Sequence, residues 1–502
     1  MTDLFSNLAL GMAIALSLKN VGLCFLGCLI GTLIGVLPGL GPIATITMLL
    51  PITFGIDPVG ALIMLAGIYY GAQYGGSTTA ILVNIPGEAS SLVTTLDGHQ
   101  MARQGRAGVA LGIAAIGSFA AGTVATLVIA ALAGPLTAAA LLFGPADYFG
   151  LMVLGLALAV VLAAGPLRKA LAVVLVGILL STIGTDAESG EERLTFGWSE
   201  LADGIDVAVV AMGVFGFAEI LRNLEARQAR DVVQGVIGRL LPGRQDLQQS
   251  AGPIARGTLL GSLLGLLPGN GAVLGPFASY ALEKRLARDP SRFGKGAIEG
   301  VAGPEAANNA GAQTAFIPLL TLGIPPNAVM ALMVGAMMIH GIAPGPQIVS
   351  KQPQLFWGMV ASMWIGNLML LVINLPLIGL WVRLLKIPYR LLFPSIVLLC
   401  SIGIYSINNT PADLVMTAGL GLLGYVLVKL AFEPAPLVLG FVLGRLMEDK
   451  LRQALVLSRG RLMTFIEHPL SCGLLLFALI VVAVAVLPAV RKGREAAFRE
   501  AG

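Results

Sequence analysis

Two turns rich in proline and glycine carry the first chemical signal. Gly27, Gly31 and Gly35 lead into Leu37-Pro38-Gly39-Leu40-Gly41, and the same spacing returns 230 residues later. There Gly257, Gly261 and Gly265 lead into Leu267-Pro268-Gly269-Asn270-Gly271. Glycines four apart let helices pack closely, so the first part of the pattern can be packing alone. The Leu-Pro-Gly-x-Gly ends are more specific. Such turns leave backbone N–H groups unpaired, and glycine lets a ligand reach them. A helix that starts there adds a positive dipole end. That arrangement suits a carboxylate without needing a buried cation.

Three further segments hold polar groups within apolar surroundings. Gly75-Gly76-Ser77-Thr78-Thr79 offers hydroxyls and amides, either to an anion or to its own helix. Ala80–Ala89 (AILVNIPGEA) and Leu319–Ala328 (LLTLGIPPNA) each end an apolar run in Ile-Pro, at an offset of 239. Pro304-Glu305-Ala306-Ala307-Asn308-Asn309 is the most polar patch in an apolar region. Ionisable groups in such places are costly and usually functional. The residues expected to bind substrate are Pro38, Gly39, Gly41, Ser77, Thr78, Thr79, Pro268, Gly269, Asn270 and Gly271. The Ile-Pro turns add Asn84, Pro86, Gly87, Gly323 and Pro325. Glu305, Asn308 and Asn309 are expected to couple an ion, by oxygen coordination of Na⁺ or by a proton on Glu305. Asp97 is read as a loop cap, and His340 as interfacial.

These residues need a membrane framework. The chain has 502 residues, of which 56% are hydrophobic and 12% charged. Its mean hydropathy is +0.88. Soluble proteins carry about 25% charged residues, so this chain cannot coat a soluble surface. Several apolar runs reach the roughly 20 residues of a crossing, while others, such as 254–267, are too short and read as hairpins or broken helices. The expected fold is an all-α polytopic membrane protein with about 10–14 transmembrane or re-entrant helices, in two repeated halves with broken helices.

The expected divisions are 1–221 for the first half, 222–253 for a basic cytoplasmic linker, 254–450 for the second half and 451–502 for a terminal helix and basic tail. Basic clusters at 103–106, 168–169, 222–256 and 284–295 read as cytoplasmic, and the acidic stretch 186–192 as external. The N-terminal 20 residues read as a retained helix, not a signal peptide. The scheme strains at the C-terminus, where one apparent crossing separates basic 445–461 from the basic tail. Cys24 and Cys28 read as packing residues, and no structural disulfide is expected.

The motifs also resemble a known family, the large membrane subunit of the tripartite tricarboxylate transporters, the TctA type. The stretches that carry the resemblance are Gly31–Pro51, Ile68–Gly87, Leu96–Leu111, Gly261–Lys284, Phe293–Asn309 and Ile317–Pro346. Pro326 and His99 depart from the usual pattern. The resemblance implies a permease that imports tricarboxylates or related carboxylates across the bacterial inner membrane, driven by Na⁺ or H⁺. It further implies a small four-helix membrane subunit and a periplasmic solute-binding protein as partners. No enzyme activity, metal centre, cofactor or nucleic-acid partner is expected. The rival readings are a passive channel or scaffold, and an intramembrane hydrolase using Ser77.

Overall fold

The computed structural model describes residues 2–37, 41–163, 165–186, 188–225, 238–268, 271–385 and 389–487. The first helices are α1 (Thr2–Ala15), α2 (Leu18–Val36), α3 (Pro42–Leu49) and α4 (Pro58–Val83). Next come α5 (Leu92–Met101), α6 (Ala107–Ala140), α7 (Pro145–Leu162) and α8 (Leu167–Ser181). A two-stranded hairpin, β1 (Gly184–Thr185) and β2 (Glu192–Arg193), separates these from α9 (Val207–Ala211) and α10 (Ala218–Glu225). The chain continues as α11 (Arg244–Gly265), α12 (Gly271–Leu286), α13 (Glu299–Thr314), α14 (Phe316–Leu322) and α15 (Ala328–Ile339). Then follow α16 (Gln347–Lys351), α17 (Pro353–Asn374), α18 (Ile378–Leu385) and α19 (Tyr389–Asn408). The last are α20 (Pro411–Lys429), α21 (Ala435–Leu457), α22 (Thr464–Glu467) and α23 (Pro469–Val486). Seven helical segments among the described residues are long and apolar enough to cross a membrane. The chain is a multi-pass, all-α membrane protein.

Two parallel helix pairs form the centre. Cβ atoms built on Gly27, Gly31 and Gly35 of α2 would lie 2.2, 2.3 and 2.4 Å from the backbone oxygens of Met64, Ile68 and Ala72 on α4. Those built on Gly257, Gly261 and Gly265 of α11 would lie 2.2, 2.2 and 2.4 Å from the oxygens of Gly303, Ala307 and Gly311 on α13. The contacted residues are again 239 apart, the offset of the Ile-Pro turns. Small residues allow this backbone approach, which supplies dispersion where the hydrophobic effect gives helices little drive to associate. Gly177 of α8 meets Leu437 and Phe441 of α21, while Gly213 and Gly421 close α9–α10 against α20.

The helix α4 is longer than its sequence implies. The apolar runs break at Gly75-Gly76, yet the helix continues to Val83. Gly75 faces the Thr32 oxygen of α2, where a Cβ would come within 2.5 Å, so this glycine marks a crossing and not a break. Every residue from Gly60 to Val83 is buried, as expected of a helix enclosed on all sides. Asp57 starts it by accepting from Gly60 N at 3.0 Å. α11 is also longer than the apolar run 254–267, because it begins at Arg244. Arg227 and Arg230 of the expected linker, and the basic tail, lie outside the described residues.

The C-terminal charge puzzle has a geometric answer. Arg452 donates to Asp186 at 2.6 Å and to Glu448 at 2.7 Å, and Arg193 pairs with Glu448 at 2.7 Å. Part of the basic stretch 445–461 therefore sits against the acidic hairpin, on the same side. Within that stretch Arg452 is neutralised by this contact. Asp186 also accepts from the backbone N–H groups of Ser189 and Glu188. These amides and the Arg452 guanidinium hold its carboxyl well below the usual carboxylate range, the Ser189 amide foremost.

Two outcomes are expected. Gly261→Ala should destabilise the protein by about 1–3 kcal/mol through overpacking, whereas Gly22→Ala, with nothing within 4 Å, should be near neutral. Thermal melts in detergent compare them. The depressed Asp186 value means that its stabilisation is complete above the ordinary Asp value, about 3.9, and is lost as pH falls through the folded value. Proteolysis of the 184–193 hairpin should therefore stay slow from neutral pH down to about pH 5 and rise on stronger acidification. Asp186→Asn should be cut readily throughout.

Candidate functional site

The candidate site lies where α4, α5, α6 and α13 meet. Glu305 is inside α13 and only 1% exposed. Its Oε2 accepts from Ser77 Oγ of α4 at 2.5 Å, and its Oε1 accepts from Thr94 Oγ1 of α5. No Lys or Arg among the described residues pairs with it. Hydrogen bonds to an ionised acceptor are stronger than neutral ones, so two hydroxyls can partly replace lost water. Burying a carboxylate still costs several kcal/mol.

The surrounding network is polar on one face of α13. Asn309 Nδ2 donates to Ser118 Oγ of α6 at 2.7 Å and to the Glu305 carbonyl at 3.2 Å. Further along, Gln313 accepts from Thr126 at 2.6 Å and donates to Asn367 of α17 at 2.9 Å. Asn308 differs. It is fully buried, and neither its Oδ1 nor its Nδ2 makes a hydrogen bond. A small cavity of about 20 Å³ opens beside Glu305, lined among others by Tyr74, Ser77, Thr78, Ser118 and Asn374.

The three hydroxyls of the small-residue run lie within reach of their own helix. The oxygens of Ser77, Thr78 and Thr79 are 3.1, 3.3 and 3.2 Å from the carbonyls of Gln73, Tyr74 and Gly75, and Ser77 and Thr79 each have a nearer acceptor for their single hydrogen. Ser77 also reaches Glu305. Thr79 instead donates to Val36 O at 2.9 Å, tying down the last turn of α2 beside the first Pro-Gly turn. Ser77 and Thr78 line the space; Thr79 does not.

Of the first Pro-Gly turn, Pro38 and Gly39 lie outside the described residues. Gly41 is extended and opens α3, and among the described residues nothing lies within 4 Å of a Cβ built on it. In the second turn Gly269 and Asn270 lie outside the described residues. Gly271 opens α12 with its Cα so close to α11 that a Cβ would come 1.7 Å from Leu264 O. Close approach explains this glycine without a ligand. Pro268 is half-buried near Gly155 of α7. None of the described turn residues lines the space beside Glu305.

The two Ile-Pro turns share one backbone shape. Asn84 ends α4 in the left-handed conformation at φ 57°, and Gly323 ends α14 at φ 75°. Each is followed by Ile-Pro and then by an extended residue opening the next helical turn, Glu88 at φ −150° and Asn327 at φ −150°. Asn84 is exposed and Pro86 half-buried, while Gly87, Gly323 and Pro325 are buried. Gly87 rests against Gly76 and Gly35, so the first turn folds back onto the α2–α4 crossing. Gly323 rests against Pro344 instead.

Two residues have larger roles than the sequence suggested. Glu88 lies against Gly76, and its carboxylate accepts from Ser90. Asp97 is fully buried and accepts from Gly296 N, Ala297 N and Tyr280 Oη at 2.7, 2.8 and 2.9 Å. It fastens α5 to the turn that starts α13, which sets where Glu305 falls. Its loop-like neighbours Leu96 and Gly98 gave no sign of that distant partner.

Comparison with known proteins follows the same lines. A family model described as the Tripartite tricarboxylate transporter TctA family matches residues 21–439. The chain is similar to an Agrobacterium vitis protein described as "Uncharacterized 52.8 kDa protein in TAR-I ttuC' 3'region", at 57% identity over 500 residues, 100% of both chains. A second, "Uncharacterized protein in TAR-II ttuC' 3'region" from the same organism, is 59% identical over 240 residues, covering 48% of this chain and 99% of its own. No solved structure matches.

Removing the Asp97 acceptor should loosen the α13 start. Asp97→Ala is expected to cost about 3 kcal/mol, since it strands buried donors. Faster hydrogen exchange at the Gly296 and Ala297 amides, with little change elsewhere, is the measurable sign.

Proposed function

The chain belongs to the tripartite tricarboxylate transporter TctA family, whose model matches residues 21–439, and on that premise we propose that it is the permease through which a carboxylate is imported by secondary transport. It is a component of a tricarboxylate transporter and a multi-pass membrane protein. The finer reading is that it sits in a bacterial inner membrane with a small four-helix subunit. A periplasmic binding protein delivers the solute, and an inward Na⁺ or H⁺ gradient drives its entry.

The observation that carries the proposal is the environment of Glu305. A carboxylate buried among hydroxyls, with no basic partner among the described residues, is costly to keep and is well suited to binding and releasing a cation as helices move. Glu305 sits on α13 and its donor Ser77 on α4, one helix from each of the glycine-packed pairs, while Thr94 comes from α5. The halves 1–221 and 254–450 are proposed to move against each other there, with 222–253 as linker and 451–502 as a terminal element. Midplane sites at the interface of repeated units are common in carriers.

The carboxylate is proposed to be held by the backbone N–H groups of Gly39, Gly41, Gly269, Asn270 and Gly271, in turns that Pro38 and Pro268 shape without donating. Ser77, Thr78, Thr79 and the turns Asn84, Pro86, Gly87, Gly323 and Pro325 complete the path. Gly41 supports this most directly, because among the described residues nothing crowds it at the start of α3. Glu305, Asn308 and Asn309 serve the coupling ion, with Asn309 holding the α13 backbone to Ser118.

Reconstituted vesicles containing all three subunits test this. Uptake of labelled di- and tricarboxylates should collapse when both ion gradients are removed, and persistence would favour a passive channel. Glu305→Gln and Gly269→Leu should each reduce uptake by at least about tenfold while the protein still inserts. Unimpaired uptake by both would refute the site assignment.

A further inference from the structure

The helix α5 is too short to cross a membrane. Its 10 residues span about 15 Å, half the hydrocarbon thickness. It follows the first Ile-Pro turn and hands over to α6 through residues 102–106. Along the way it runs beside the first part of α13. Thr94 reaches Glu305 inside that helix, and Asp97 reaches Gly296 and Ala297 just before it. Bases gather at this end of α13. Arg103 and Arg106 lie on the α5 side, and Lys284, Arg285 and Lys295 on the other, which marks the end as cytoplasmic. α5 therefore stands between Glu305 and the cytoplasm.

Polar ties hold it there, from the first half of the chain to the second. Asp97 accepts from Gly296 N, Ala297 N and Tyr280 Oη. Gln104 Nε2 donates to the Lys295 carbonyl at 2.8 Å, and Arg106 pairs with Asp246 at 2.7 Å. Water can take over each donor and acceptor, so such ties exchange at small net cost. The Asp97 carboxylate has three donors when α5 is docked and water when it is free, but neither halfway. That favours two discrete positions over a continuum. A hinge lies next to the ties. Gly105 sits at φ 78°, in the left-handed region, and among the described residues nothing lies within 4 Å of a Cβ built on it. A bend there needs no repacking. α15, which follows the matching Ile-Pro turn, is apolar from Ala328 to Ile339 and carries no such acid.

We propose that α5 is a cytoplasmic gate, latched by Asp97 and hinged at Gly105. The gate rests on the permease reading and gives the solute path its inner door. With the latch closed, Glu305 and the cavity beside it are shut off from the cytoplasm. Freeing Asp97 lets α5 swing away from α13, which also withdraws Thr94 from Glu305. One short helix thereby couples the latch to the buried acid, because Glu305 loses a donor whenever the gate opens.

Locking and loosening the latch tests this. Gln104 and Lys295 are exposed neighbours. A chain with Gln104→Cys and Lys295→Cys can be bridged by a short bis-methanethiosulfonate reagent and freed by dithiothreitol. In vesicles with all three subunits, bridging should cut carboxylate uptake at least about tenfold, and reduction should restore it. Each single-cysteine chain should be unaffected by the reagent. A second readout needs no transport. Thr78→Cys, beside the cavity, is labelled by a membrane-impermeant thiol reagent on the cytoplasmic face, against a chain without that cysteine. Adding Asp97→Asn should speed the labelling at least about threefold, and the bridge should abolish that gain. Full uptake by the bridged chain, or labelling that Asp97→Asn leaves unchanged, would overturn the gate. Failure of the permease reading looks different: unbridged vesicles take up no carboxylate, while labelling still follows the latch.

Discussion

The hydrogen bond from Ser77 to Glu305, 2.5 Å long, joins two helices that are 228 residues apart in the chain. A bare carboxylate in this interior is tolerable only while both hydroxyl donors are held in place. Ser77 is held by α4, whose course is set by the glycine contact with α2. Thr94 is held by α5, and α5 is fastened to the start of α13 by Asp97. Much of the central packing can therefore be understood as what keeps two hydroxyls pointed at one buried acid.

The glycine stripes do this with little side-chain chemistry. Each crossing brings two backbones so close that no Cβ fits. Backbone contact of this kind is stiff, because no flexible side chain lies between the helices to absorb a shift. The contacts that α13 makes outside its pair are polar instead: Glu305 reaches Ser77 of α4, and Asn309 and Gln313 reach α6 and α17. The paired Ile-Pro turns sit at the ends of α4 and α14 with the same backbone shape but different chemistry. Glu88 brings a charge to one, and Asn327 brings a filled cap to the other.

Several features of this arrangement were readable residue by residue. The phase of the glycines, the Ile-Pro echo at offset 239 and the isolated acid at 305 are all local patterns. Their geometric counterparts are the matched contacts at Met64 and Gly303 and the left-handed caps at Asn84 and Gly323. The Pro-Gly turns were harder to interpret. Among the described residues, the glycine at 41 meets nothing within 4 Å, whereas its counterpart at 271 is pressed against a backbone. No local pattern separates those cases.

Composition and apolar run length determined by themselves that the chain is helical and crosses a membrane, because a lipid interior allows few backbone solutions. Motif spacing likewise determined the family, since long specific segments survive without any structure. Only the tertiary structure decided which polar residues meet. Glu88, Asp97 and Thr94 find partners across 183 to 211 residues of chain or by folding back on α4. Arg452 meets Asp186 across 266. Contacts of that range depend on how helices cross, and the energy that selects a crossing is spread over many small backbone and side-chain contacts that no single segment displays.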